Sequence, residues 1–126
     1  MRTGKIEING KEYLLCFSAR VVRSCAKRYG RNENIDNALN SGTEADQMDE
    51  CFWLLAEMMD AGNRYAKEEG IENPKPLDFD TLYDVCGMDD IFNMKEHIFQ
   101  TVSSGNEREV EIQPEKGKNA ETTQQE

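Results

Sequence analysis

Apolar positions recur with two different periods along this chain. Between Thr43 and Gly70 they return every three or four residues. Set out at about 100° per residue, Met48, Cys51, Phe52, Leu55, Met58, Met59, Gly62 and Ala66 occupy one apolar stripe. Asp46, Asp49, Glu50, Glu57, Asp60 and Arg64 lie opposite. The pattern predicts one amphipathic helix of about 40 Å, long enough for several shorter elements to pack along it. Thr43 is placed to cap its first turn, and Gly70 to close it in the left-handed region.

Near the start of the chain the period is two. Ile6, Ile8, Tyr13 and Leu15 alternate with polar or less apolar neighbours on either side of Asn9-Gly10. That dipeptide suits a type I′ turn, so Lys5–Ile8 and Lys11–Leu15 read as a hairpin with one face on the helices. Ser18 and Gly30 bound a helix over Ala19–Tyr29, with Val21, Val22, Cys25 and Tyr29 inward and Arg20, Arg23 and Lys27 outward. Two helical turns follow over Asn32–Asn40 with Ile35, Ala38 and Leu39 at helical spacing. After a proline-stiffened loop, Asp78 is set to cap a short helix over Phe79–Cys86. Asp89 is set to cap a last one running to about Ser103, with Ile91, Met94, Lys95, Ile98 and Val102 as its stripe and Phe92 and Phe99 widening it.

The expected fold class is therefore mainly α: one small helical domain over residues 1–105 with an N-terminal β-hairpin. Gly105 marks its end. Residues 106–126 hold only Val110 and Ile112 as sizeable apolar side chains, too few to offset ordering entropy, so a disordered acidic tail is expected. Glu109–Ile112 offers an alternative as an edge strand against the hairpin.

Charge divides the chain. Residues 1–31 carry eight Lys or Arg against Glu7 and Glu12, a net +6, while residues 32–126 carry seven against twenty-three, a net −16. An acidic body makes nucleic acid an unlikely general partner, although Arg20, Arg23, Lys27, Arg28 and Arg31 leave room for a small nucleic-acid-binding or regulatory module. The same asymmetry allows Arg20, Arg23 and Lys27 of one copy to meet an acidic surface on the next, giving self-association. No apolar run is long enough to span a bilayer, and the polar opening lacks the apolar centre of a signal peptide, so a cytoplasmic location is expected.

Candidate chemistry is sparse. Cys16, Cys25, Cys51 and Cys86 lack metal-ligand spacing and read as free buried thiols. His97 has no nucleophile at a productive spacing, and the Asp pairs near helix starts are explained by capping, so neither enzymatic activity nor a cofactor or metal site is expected. Trp53 stands on the charged face of the long helix. It is either covered there by the hairpin or the last helix, or held ready for a partner. Met58 and Met59, with Met48, supply soft side chains that fit the core or an adaptable partner surface. Trp53, Met58 and Met59 are thus the candidate partner-binding residues.

The order of elements carries a resemblance. A hairpin over Lys5–Phe17 is followed at once by a helix closing on Arg28-Tyr29-Gly30, then by a helical domain and a charged tail. Over about residues 4–105 this resembles the tail assembly chaperones of long-tailed bacteriophages. The resemblance implies a small, mainly helical protein of the bacterial host cytoplasm that binds and solubilises the tape measure protein, helps recruit tail tube subunits and is absent from the virion. It also implies a longer product made by −1 frameshifting near the end of the frame, for which Gly117-Lys118-Asn119 permits a slippery heptamer. A head-tail connector component is a further alternative.

Overall fold

A computed structural model describes residues 2–112, apart from the side chains of Arg2, Asn32, Phe92, Phe99 and residues 103–112. The elements are β1 (Arg2–Ile8), β2 (Lys11–Phe17), α1 (Ala19–Tyr29), a 3-10 turn (Asn32–Asn34), α2 (Ile35–Leu39), α3 (Glu44–Glu69), α4 (Phe79–Val85) and α5 (Met88–Ile112). The fold is mainly α with an N-terminal hairpin, as the two periodicities require.

The hairpin closes as its turn chemistry dictates. Asn9 at φ 54° and Gly10 at φ 78° make the two positive-φ positions, and Ile8 pairs with Lys11 across them. Ile6, Ile8, Tyr13 and Leu15 are all buried on the face against the helices. Two helices share that face, α3 beside β2 and α5 beside β1, and they also touch each other. Their close approach depends on glycines. A Cβ on Gly62 of α3 would lie 1.9 Å from the Leu14 carbonyl oxygen, and one on Gly4 would lie 2.5 Å from Thr101 Oγ1 of α5.

α3 is the central element and packs against β2, α1, α2, α4 and α5. Being surrounded, it buries Leu54 and Ala61 in addition to Cys51, Phe52, Leu55, Met58, Met59, Gly62 and Ala66 of the expected stripe, whose first member, Met48, is only half-buried. Its start is a full capping box: Thr43 Oγ1 accepts from the Asp46 N–H, and Asp46 Oδ2 accepts from the Thr43 N–H. Gly70 ends it at φ 70°. Asp78 caps α4 through its side chain as expected, whereas Ser18 caps α1 by position alone, without a side-chain hydrogen bond.

α5 departs from expectation at both ends. It begins at Met88, with the Asp90 carboxylate accepting from the Gly87 N–H, so Asp89 is not the cap. It also continues through Gly105 to Ile112 instead of stopping near Ser103, which replaces the edge-strand alternative for Glu109–Ile112 with helix. One interior glycine costs a helix only about 1 kcal/mol, and the Glu- and Arg-containing stretch beyond it favours helix. Met94, Ile98 and Thr101 are buried along α5, and Lys95 reaches across to Asn40 Oδ1 and Gln47 Oε1. The side chains of Phe92 and Phe99 and the tail from residue 113, including Gly117-Lys118-Asn119, lie outside the described residues. No described helix is long and apolar enough to cross a membrane.

Candidate functional site

Met58 and Met59 do not present a partner surface. Both have no exposure at all, because they point from α3 into the shared core. Their softness serves packing between elements that cross at several angles.

Trp53 is half-buried, and its aromatic and cation contacts come from α1, an element other than the hairpin or last helix expected to cover it. α1 runs beside it. The Arg28 guanidinium carbon stands 4.5 Å from the centre of the indole, and the Tyr29 ring meets Trp53 edge-on at 5.7 Å. Glu50, one turn before Trp53, holds both neighbours. It accepts from Arg28 Nε at 2.8 Å and from the second nitrogen at 3.1 Å, and its Oε1 accepts the Tyr29 hydroxyl at 2.8 Å. The hydrogen bond from Arg28 holds the Glu50 carboxyl below its ordinary range, while burial and the bond to Glu50 push the Tyr29 phenol up. The sequence order Arg28-Tyr29 thus clamps α1 onto α3 with Trp53 at the centre.

This clamp makes a prediction. Trp53→Ala should lower stability by about 2 kcal/mol, less than a fully buried tryptophan because one side remains open to water. Calorimetry on the isolated protein reads the change, and an unaltered melting temperature would return Trp53 to the role of a pure surface contact.

The basic stripe of α1 is as expected: Arg20, Arg23 and Lys27 are exposed, and none of the three forms an ion pair among the described residues. Arg28 differs from them, because Glu50 already neutralises it.

A second feature escaped the sequence reading. The first turns of α3 and α5 lie side by side and leave a recess of about 110 Å³ lined by Met48, Cys51, Met88 and Ile91, with Glu44, Gln47 and Lys95 at its rim. Met88 is 63% exposed and is one of only two large apolar side chains so open among the described residues. Its position directly after Gly87, before any stripe begins, was the available signal. The recess offers soft apolar walls with the Lys95 cation and the Glu44 carboxylate beside them, which suit an apolar side chain arriving from another molecule.

No group of three or more His, Cys, Asp or Glu side chains placed to hold a metal ion is found among the described residues. His97 is half-buried, and its carbonyl accepts the Thr101 hydroxyl. Cys16, Cys25 and Cys51 are buried and Cys86 half-buried, all as free thiols. Burial pushes Cys16 up to about 11 and Cys25 up to about 12, the opposite of what an activated nucleophile needs. No family model, curated protein or solved structure matches this chain.

Proposed function

We propose that the protein is a tail assembly chaperone of a long-tailed bacteriophage, acting in the host cytoplasm to bind and solubilise the tape measure protein and to help recruit tail tube protein. The observation that carries the reading is the Met48–Met88–Ile91 recess on an otherwise highly charged subunit. A long helical client exposes apolar side chains at helical spacing, and a chaperone for it needs a shallow, adaptable apolar seat surrounded by solubilising charge. The element order from hairpin to clamped helix supports the same reading. The stripe of Arg20, Arg23 and Lys27, which forms no ion pair among the described residues, gives successive copies a means to meet acidic surfaces of their neighbours along the client.

The test is co-expression with the tape measure protein of the same virus, reading how much of that protein stays soluble and co-purifies. Met88→Glu is expected to keep the melting temperature, because the side chain is 63% exposed, while abolishing co-purification. A client equally soluble without the protein would overturn the assignment. Undiminished binding by Met88→Glu would instead move the seat away from the recess.

A further inference from the structure

The two edges of the hairpin are treated differently. Ile8 and Lys11 flank the two-residue turn as a hydrogen-bonded pair, so alternation along the ladder makes Ile6–Tyr13 and Gly4–Leu15 hydrogen-bonded pairs as well. The backbone groups of Glu12, Leu14 and Cys16 then point outward from β2, and those of Thr3, Lys5 and Glu7 outward from β1. On the β2 side the edge is closed at Leu14. The Leu14 N–H donates to Asn73 Oδ1 at 2.9 Å, and the Leu14 carbonyl lies under Gly62 of α3. On the β1 side no outward amide or carbonyl of Thr3, Lys5 or Glu7 finds a partner among the described residues. Those three residues are also exposed.

The charges on that open strand choose their own complement. Glu7 stands directly across the ladder from Glu12, a like-charge pair that costs stability, while Lys5 reaches only diagonally to Glu12 at 3.7 Å. Glu7 has no cation of its own among the described residues. An antiparallel β1 from a second copy, centred on Ile6, would set Lys5 against Glu7 twice. Registers shifted by one residue pair along the strand would set Lys5 against Lys5 or Glu7 against Glu7. The Ile6-centred register also brings the outward groups of Lys5 and Glu7 face to face as hydrogen-bonded pairs. It sets Ile6 opposite Ile6 on the apolar face, with the small Gly4 opposite Ile8.

We infer that β1 is a self-recognition edge, where two copies join about a two-fold axis through Ile6 into a four-stranded antiparallel sheet. The contact is isologous and closes at two, and it is independent of the chaperone reading. It differs as well from any contact made by the Arg20, Arg23 and Lys27 stripe, which lies on another element.

Sedimentation from micromolar to millimolar concentration is expected to show a monomer–dimer equilibrium. Lys5→Glu sets two Glu–Glu pairs across the axis, and Glu7→Lys sets two Lys–Lys pairs. Each variant alone should dimerise about tenfold more weakly or worse, whereas an equimolar mixture should restore the dimer, since both cross-pairs are then Glu against Lys. Glu7→Lys removes the Glu7–Glu12 repulsion, so at least this variant folds as well as the parent. Lys5→Pro deletes one outward N–H without touching the β1–β2 ladder and should also give a monomer. A parent protein that stays monomeric throughout, or a mixture no more associated than its components, would overturn the inference. So would a dimer lost only when Arg20, Arg23 and Lys27 are reversed to Glu.

Discussion

Gly62→Ala is expected to cost about 5 kcal/mol or more, enough to leave little native protein. In an exposed helix the same change gains about 1 kcal/mol, because alanine has the higher helix propensity. Here the sign reverses. The new methyl would stand 1.9 Å from the Leu14 carbonyl oxygen and 2.5 Å from the Leu14 carbonyl carbon. Both are backbone atoms of a strand already paired on its other side with β1, so no rotamer change relieves the overlap. Separating α3 from β2 would also pull Leu15 and Leu55 out of the core, where neither has any exposure. Urea unfolding followed by circular dichroism measures the loss. A variant as stable as its parent would mean that the helix does not approach the strand this closely.

Gly62 also shows where sequence reading stops. Its place on the buried stripe follows from the 3.6-residue period, but the reason for glycine lies in the backbone of Leu14, which no local pattern encodes. Trp53 has the same character. The period sets it among charges, while Arg28 and Tyr29, the side chains that cover it, belong to another helix whose docking angle is a tertiary property. Met58 and Met59 were ambiguous because methionine suits core and contact surface alike, and their position on the stripe turned out to decide it. The turn and buried face of the hairpin were legible, since Asn9-Gly10 fixes the one and the alternation the other, but its strands run on to Arg2 and Phe17, beyond the expected Lys5–Ile8 and Lys11–Leu15. The recess at Met48 and Met88 was not legible, because it exists only where the first turns of two helices meet.

Alkaline pH is expected to unfold the protein through its buried thiols. In the unfolded chain a cysteine ionises near 9.0, whereas burial holds Cys16 at about 11 and Cys25 at about 12 in the fold. The proton is therefore bound more tightly by the native state. The stability associated with it is complete below pH 9 and is lost as pH rises, since the unfolded state then holds fewer protons than the native state. Each such thiol removes about 1.4 kcal/mol per pH unit in that window. Together Cys16 and Cys25 account for a loss on the order of 5 kcal/mol by pH 11. Cys51 is shifted up by burial in the same direction, and so are the phenols of Tyr29 and Tyr83. Half-buried Cys86, at about 11, adds less because solvent screens it. Chemical denaturation at half-unit steps from pH 8 to pH 11 reads the slope, and Cys25→Ala isolates one thiol's share. That variant should begin about 1 kcal/mol less stable. It should then lose stability more slowly than the parent by about 1.4 kcal/mol per pH unit. A parent whose stability is flat across this range, or a Cys25→Ala slope equal to the parent's, would show that these thiols ionise in the fold as freely as in the open chain.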